Sequence, residues 1–244
     1  IEADLSEGAS VALDADQARY LMQVLRLRVG DEARVFNARD GEWTATLGDG
    51  GKKSTRLLIG AQRRMPAPPA VDLHLLFAPV KRQATDLIVE KATELGVTAI
   101  RPVTTRRTNA ERVRIDRLTA IAREAAEQSE RLELPELREV ASLDRTLDGW
   151  AKTDGERRLL FLDEAAGGDG SPWREDHAGA SAALAALRDA PRGAWAVLIG
   201  PEGGCAPEER TRLRALPFVT VASLGPRILR AETAAIAALT LWQA

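Results

Sequence analysis

Two glycine–proline turns near the end of the chain hold the side chains best suited to chemistry. The first turn, residues 200–204, contains Glu202, and the second, residues 225–233, contains Arg230 and Glu232. A carboxylate beside a reacting group can accept a proton, and an arginine can stabilise negative charge developing on an oxygen. Neither turn has the Gly-x-Gly-x-x-Gly spacing of a dinucleotide site or the Gly-Lys-Ser/Thr of a phosphate loop. Apolar residues between the charges favour an organic ligand.

A sheet is needed to position these turns. Two apolar runs of strand length, residues 195–199 and 218–224, each lead into a glycine–proline turn. A helix is predicted after each turn, and Pro207 marks the start of the first one. In an open parallel sheet such turns emerge at the carboxyl edge, where ligands bind, so the two turns predict one shared pocket. The alternative is a pair of ordinary turns in an α/β domain, which the glycine content fits equally well.

Longer segments around both turns resemble a known family. The segments LIGPEGG at 198–204 and LGPRILRAETA at 224–234 resemble the bacterial 16S ribosomal RNA uridine-N3 methyltransferases, which belong to the SPOUT class. Residues 19–26, RYLMQVLR, and residues 91–97, KATELGV, are also similar to segments of that family. The resemblance therefore extends over nearly the whole chain.

The resemblance implies an α/β fold with two domains. A small PUA-like RNA-binding β-barrel is expected over residues 1–69, followed by a trefoil-knotted, parallel-sheet SPOUT methyltransferase domain over residues 70–244. It also implies S-adenosylmethionine as cofactor, a uridine N3 in 16S ribosomal RNA or the assembled small subunit as methyl acceptor, and a homodimer through the knotted domain. The alternatives are another SPOUT activity, on ribose 2′-oxygen or guanine, and a noncatalytic RNA-binding protein.

Individual site residues follow from matching the family's pattern to this sequence. The predicted catalytic residues are Arg230, Glu232 and Glu202, with Glu202 or Glu232 as general base and Arg227 or Arg230 beside the developing oxygen charge. Helix capping is the alternative role for the arginine and glutamate. The predicted cofactor-binding residues are Leu162, Glu164, Leu198, Ile199, Gly200, Pro201, Gly203, Leu224, Gly225, Arg227, Ile228, Leu229 and Thr233. The predicted RNA-binding residues are Arg26, Arg28, Lys81, Arg82, Lys91, Arg106, Arg107 and Arg131.

The composition is that of an ordinary globular protein, with 244 residues, 45% hydrophobic and 29% charged. Cys205 is the single cysteine, which favours a reducing, cytoplasmic location, and no apolar run is long enough to span a membrane. The formal charge of −2 argues against a nucleic-acid partner. Residues 81–117, however, carry nine basic and five acidic residues, a local charge of +4. This segment is a candidate RNA surface, with a solvated helix face as the alternative.

The sequence of the N-terminal segment predicts a small β-rich domain. Residues 17–27 have apolar side chains at helical spacing, and strands are predicted at 33–37, 43–47 and 54–59. Asp40-Gly41 predicts a hairpin turn. A proline-rich linker at 65–69 follows, and we place the domain boundary there.

The remaining chain predicts a βαβ unit, with strands at 71–78 and 99–103 around a helix at 82–95. His74 is expected to pack within its strand, and neither it nor His177 has a ligand-spaced partner, so no metal site is expected. Arg106-Arg107 either grips phosphates or is an exposed loop. Residues 127, 128 and 131 are expected to face the pocket or RNA on the strength of the resemblance. The apolar helix at 233–243 is expected to pack in a subunit interface.

Overall fold

The computed structural model describes residues 1–48, 55–109, 113–163, 181–188, 190–191, 193–225 and 227–244. The chain divides into two compact units, Ile1–Pro68 and Pro69–Ala244. The division falls within the proline-rich segment that the sequence predicts as a linker. Among the helices in the described ranges, none is both long and apolar enough to cross a membrane.

The described part of the first unit folds around a four-stranded antiparallel sheet with the strand order β1-β4-β3-β2. The strands are β1 (Ser10–Ala12), β2 (Glu32–Asn37), β3 (Gly41–Gly48) and β4 (Arg56–Arg64). The hairpin turn predicted at Asp40-Gly41 joins β2 to β3 and is confirmed. Gly41 has a φ of 81°, and a Cβ there would lie 2.1 Å from the carbonyl oxygen of Arg64, so this turn requires glycine.

The helix predicted at 17–27 differs from the observed structure. Helix α1 (Ala15–Arg19) begins with a capping box between Asp14 and Gln17, but a π-helical turn (Tyr20–Val24) replaces the rest of the α-helix. The wider π turn places successive side chains at a different angle, so residues three or four apart no longer share one face. Consequently Met22 and Leu25, expected on a buried face, are about half exposed, at 47% and 49%.

The second unit contains a parallel sheet, as predicted. Within the described residues its strand order is β10-β12-β9-β11-β5-β6-β7, and β8 also pairs with β6. The strands are β5 (Leu73–Phe77), β6 (Ala99–Thr104), β7 (Glu136–Leu137), β8 (Ala141–Ser142), β9 (Arg158–Leu162), β10 (Ser181–Ala182), β11 (Trp195–Ile199) and β12 (Val219–Ser223). The helices are α2 (Arg82–Glu94), α3 (Ile115–Gln128), α4 (Leu143–Asp148), α5 (Trp150–Thr153), α6 (Ala183–Arg188), α7 (Pro207–Ala215) and α8 (Ala231–Gln243).

Alternate side chains of the central strands enter two different hydrophobic cores. Leu75 and Val197 belong to a core that includes residues of α2, α3 and α8, whereas Leu76 and Leu198 belong to a second core with α4, α5 and α7. This alternation follows from the two-residue period of a strand. Because both faces of the sheet are covered, its strands are predominantly apolar. His74 is buried within β5, as predicted.

The apolar face of α8 is buried within its own chain. Ala235, Ala238 and Leu239 are almost fully buried in the core, and Trp242 packs against that core. Packing within the chain therefore accounts for most of the apolar content of this helix. Its expected place in a subunit interface stays a prediction. Leu241 also packs against the core, and Ile236 is partly exposed.

Candidate active site

A pocket of about 680 Å³ lies at the carboxyl ends of β9, β11 and β12. These strands are neighbours in the sheet, and their loops leave the same edge. A volume of this size is typical of sites for small organic ligands. The sequence prediction that two glycine–proline turns share one pocket is therefore confirmed.

The first glycine loop, residues 200–206, connects β11 to α7. The backbone N–H of Gly204 donates to the carbonyl oxygen of Pro201 at 2.8 Å, and Gly204 has a φ of 65°. A Cβ at Gly200 would lie 3.4 Å from Sγ of Cys205. The loop thus folds tightly on itself and leaves little room for a side chain at position 200.

The second glycine loop, residues 224–230, connects β12 to α8. The backbone N–H of Gly225 donates to Oγ of Ser223 at 3.2 Å, and Gly225 adopts a φ of 109° that L-residues rarely populate. Ile228 is 62% exposed although it is large and apolar, and it lines the pocket. Arg230 occupies the N-cap position of α8. This loop therefore offers an apolar surface bordered by charge.

Charged side chains from both loops converge on the pocket. Glu202 comes from the first loop, Arg227 and Arg230 come from the second, and Glu232 lies in the first turn of α8. Both arginines and Glu202 are exposed, whereas Glu232 is partly buried. A ligand in this pocket would meet acceptors for a proton and donors for a negatively charged oxygen.

The end of β9 forms a third wall, to which Phe161, Leu162 and Asp163 contribute. The carboxylate of Asp163 is almost completely buried and accepts hydrogen bonds from Nε of Arg210 at 3.1 Å and Nη2 of Arg214 at 2.7 Å. A buried carboxylate requires such partners. Asp163 therefore ties this wall of the pocket to α7.

Comparison with known protein families decides the class of protein. A family model described as an RNA methyltransferase domain matches residues 67–243, and one described as an RNA methyltransferase PUA domain matches residues 13–59. The chain belongs to the RNA methyltransferase family. The predicted order of a PUA-like domain followed by a parallel-sheet methyltransferase domain is thus confirmed, whereas the trefoil knot stays a prediction.

Individual relatives of this RNA methyltransferase agree with that assignment. The chain is 32% identical over 240 residues to the ribosomal RNA small subunit methyltransferase E of Rickettsia conorii, covering 98% of this chain and 91% of the relative. It is 33% identical to the protein of the same name from Synechocystis sp., covering 95% and 72%. The crystal structure of the Neisseria gonorrhoeae ribosomal RNA small subunit methyltransferase E bound to S-adenosyl methionine superposes with a TM-score of 0.81 at 27% identity, covering 100% and 94%.

Most of the residues predicted to bind a cofactor line the pocket of the RNA methyltransferase. The three residues predicted to be catalytic also line it. Those brought together are Leu162, Ile199, Gly200, Pro201, Leu224, Gly225, Arg227, Ile228 and Leu229, with Glu202, Arg230 and Glu232. The pattern of strand, glycine–proline turn and helix predicted the shared pocket, and the family resemblance supplied the individual cofactor-binding residues.

Three of the described residues predicted to bind the cofactor, Leu198, Gly203 and Thr233, are not among those that line the pocket. Leu198 is fully buried in the core on one face of the sheet, because it alternates with Ile199 along β11. Gly203 lies in the outer part of the first glycine loop, and Thr233 is exposed on α8. Glu164 lies outside the described residues.

The start of α2 supplies a fourth wall that the sequence did not predict. Lys81, Gln83, Ala84 and Leu87 line the pocket from the turn after β5. This wall exists because β5 lies beside β11 in the sheet. Only Lys81 carried a prediction, as an RNA-binding residue, and no local pattern identifies which strands are neighbours.

The residues predicted to bind RNA occupy different environments. Arg26 and Arg28 are exposed after the π-helical turn, and Arg26 has a φ of 58°. Lys81 and Arg82 are exposed at the start of α2. Exposed positions are available to a phosphate, so these four residues remain predicted RNA contacts.

Lys91 and Arg131 are engaged within the protein. Nζ of Lys91 lies 2.7 Å from Glu90 and 2.8 Å from Glu94, which raises the pKa of Lys91 above its ordinary value. Arg131 is mostly buried and donates to the carbonyl oxygens of Thr93 at 2.6 Å and Val97 at 3.2 Å, instead of facing the pocket or RNA. The structure thus gives Arg131 the role of satisfying carbonyls at the end of α2.

Arg106 and Arg107 lie in the β6 loop, residues 105–109. Nη1 of Arg106 donates to Glu208 at 3.2 Å, and Nη1 of Arg107 donates to the carbonyl oxygen of Gly203 at 2.9 Å. Both side chains are exposed. Arg106 therefore connects the β6 loop to α7, and Arg107 connects it to the first glycine loop.

Proposed function

We propose that this protein transfers a methyl group from S-adenosylmethionine to N3 of a uridine in 16S ribosomal RNA of the small ribosomal subunit. The observation that carries the proposal is the pocket in which two glycine loops bring Glu202, Arg230 and Glu232 around an apolar surface. The names of the Rickettsia and Synechocystis relatives and the cofactor bound to the Neisseria structure support it.

The residues present fit this cofactor. Leu162, Ile199 and Leu224 offer apolar surface to an adenosine group. Ile228 also lines the pocket, and its exposed side chain is available to the same group. A Cβ at Gly225 would meet nothing within 4 Å, so the backbone there is open to a ligand. When bound, the cofactor supplies an electrophilic methyl group on a sulfonium sulfur.

The protein must make the acceptor nitrogen nucleophilic. N3 of uridine carries a proton, and its lone pair becomes available only as that proton leaves. Glu232, at the start of α8, is our assignment for the group that accepts the proton, with Glu202 as the competing carboxylate. A general base of this kind accelerates reactions by about 10²–10⁴-fold.

Arg230 complements the base. Removal of the N3 proton leaves negative charge on the adjacent carbonyl oxygens of the uracil ring. The guanidinium of Arg230, which begins at the N-cap of α8, can donate to one of these oxygens and so stabilise the charge where it develops. Arg227, exposed on the same loop, is the second candidate for this role.

Other features of the proposal concern assembly. The PUA domain and the exposed basic residues Arg26, Arg28, Lys81 and Arg82 are assigned to RNA binding. A homodimer through the knotted domain is proposed from the family resemblance, and the partly exposed Ile236 is compatible with a contact there. A cytoplasmic location remains a prediction.

The chemical identity of the product tests the function. The protein is incubated with S-adenosylmethionine and unmodified 16S RNA, free or in small subunits, and the RNA is digested to nucleosides for mass spectrometry. We expect 3-methyluridine, and because N3 methylation blocks base pairing, reverse transcription should stop at the modified position. A 2′-O-methylated nucleoside or a methylguanosine would support another SPOUT activity. Failure of the folded protein to bind S-adenosylmethionine would overturn the proposal.

A further inference from the structure

The β6 loop and the first glycine loop are joined although they are separate in sequence. Between β6 and β11 lies β5, so the β6 loop contacts the glycine loop across the end of a strand. Nη1 of Arg107 donates to the carbonyl oxygen of Gly203 at 2.9 Å. An exposed basic loop, predicted to contact RNA, therefore holds the backbone of a loop that lines the cofactor pocket.

A buried carboxylate reinforces this junction. Glu209, the third residue of α7, is only 5% exposed. Its Oε1 accepts from the backbone N–H of Arg106 at 2.8 Å, and its Oε2 accepts from the backbone N–H of Ala206 at 2.8 Å. Each carboxylate oxygen thus fixes one of the two loops. Such charge-assisted bonds are stronger than neutral ones. They hold the backbone at Arg106, next to Arg107, and at Ala206, three residues after Gly203.

The two adjacent arginines differ in what their side chains hold. Arg106 contacts the carboxylate of Glu208, so its charge is compensated by an exposed acid. Arg107 contacts a neutral carbonyl, and no acidic partner for it occurs among the described residues. A guanidinium has five N–H donors, so Arg107 can bind a phosphate while it still holds Gly203.

We propose that Arg107 is a positioning residue that couples RNA phosphate binding to cofactor affinity. An RNA phosphate bound by Arg107 restricts the guanidinium, which in turn holds the Gly203 carbonyl and the first glycine loop in the conformation that accepts the cofactor. Coupling between two binding sites is reciprocal, so the cofactor must strengthen RNA binding by the same factor. The inference rests on the proposed function.

Equilibrium dialysis of labelled S-adenosylhomocysteine, with and without unmodified small-subunit RNA, tests the coupling. This probe occupies the pocket without transferring a methyl group. We expect RNA to raise its affinity for the wild type by about three- to tenfold, the range that one ordinary hydrogen bond contributes. R107A should lose this enhancement, R107K should recover part of it, and R145A should retain it.

R145A is the control, because it removes one positive charge at an exposed arginine of α4 that neither lines the pocket nor belongs to the predicted RNA contacts. Thermal unfolding of all variants checks that they are folded. If R107A lost the same factor of S-adenosylhomocysteine affinity with and without RNA, Arg107 would only support the loop. That result would overturn the coupling. An enhancement in R107A equal to that of the wild type, or none in the wild type, would also overturn it. Absence of any cofactor binding by the wild type would instead contradict the proposed function.

Discussion

The carboxylate of Asp163 accepts a hydrogen bond from Arg214 at 2.7 Å while only 2% of its side chain is exposed. Asp163 lines the pocket at the end of β9, and Arg214 lies on α7, the helix that follows the first glycine loop. The pair therefore connects the β9 wall of the proposed cofactor site to α7. The carboxylate of this ion pair is buried, whereas the guanidinium is partly solvated, because Arg214 is 37% exposed.

Asp163→Asn should reduce both stability and cofactor binding. The amide keeps the size of the side chain but lacks the charge that pairs with the arginines, so we expect the free energy of unfolding to fall by about 1–3 kcal/mol. Urea denaturation measures this change. Asp144→Asn is the control, because Asp144 pairs at 2.6 Å with Arg212 on the same helix but is 53% exposed. For Asp144→Asn the free energy of unfolding should fall by less than about 1 kcal/mol. An equal decrease in the two variants would contradict our account of Asp163.

Gly225→Ala should weaken cofactor binding through backbone strain. Gly225 has a φ of 109°, which an alanine can adopt only at a cost of about 1–3 kcal/mol, although its Cβ would have space. The second glycine loop should therefore shift, and isothermal titration should show S-adenosylmethionine affinity reduced about tenfold. Gly203→Ala is the control, because its Cβ would also meet nothing within 4 Å and its φ is not in the strained region. A similar loss in both variants would exclude strain as the cause.

Glu232→Gln should abolish most turnover without affecting cofactor affinity. The amide cannot accept the N3 proton, so we expect the single-turnover rate to fall by about 10²–10⁴-fold. Rapid-quench measurement with labelled cofactor gives the rate, and titration gives the affinity. Thr233→Val, at the next position of α8 but outside the pocket lining, should retain normal activity. A large loss in Glu202→Gln together with an active Glu232→Gln variant would assign the base to Glu202.

The glycine-loop part of the site could be predicted because its signals are local. Apolar runs that end at Gly200 and Gly225 gave the strands and turns, and Pro207 gave the start of α7. These features need only a few consecutive residues to form. Successive side chains of a strand face opposite sides of the sheet. The prediction placed both Leu198 and Ile199 at the pocket, but Leu198 faces the core.

The remaining parts depend on contacts between distant segments. Lys81 reaches the pocket because β5 pairs with β11, and the Glu209–Arg106 bond joins residues 103 positions apart. No periodicity in the sequence encodes such pairings. The π-helical turn was also missed, since Met22 and Leu25 have the spacing of an ordinary amphipathic helix. Tertiary structure decided these positions.

A buried charge network at the opposite end of β5 gives a final prediction, for stability against pH. The side chain of Asp154 is fully buried, and its carboxylate contacts Arg101 and lies 3.7 Å from Nδ1 of His74. Burial lowers the pKa of His74, and the neighbouring Arg157 lowers it further, although the contact with Asp154 opposes this. Burial alone would raise the pKa of Asp154, but the nearby His74 and hydrogen bonds from Arg101 and Thr153 hold it well below its ordinary value.

Both lowered pKa values make the folded state less stable as the pH falls. The Asp154 shift is a stabilisation that is lost on protonation, whereas the His74 shift is a cost that appears once the unfolded chain binds a proton. Below about pH 6.5 the unfolded chain protonates His74 while the folded protein resists, and below about pH 4 the same holds for Asp154. The free energy of unfolding, from urea denaturation, should therefore decrease from pH 7 to 5 and again below pH 4. His74→Gln should flatten the first decrease, because glutamine does not titrate, while leaving the second in place. A slope between pH 7 and 5 that is unchanged in His74→Gln would show that another group causes it.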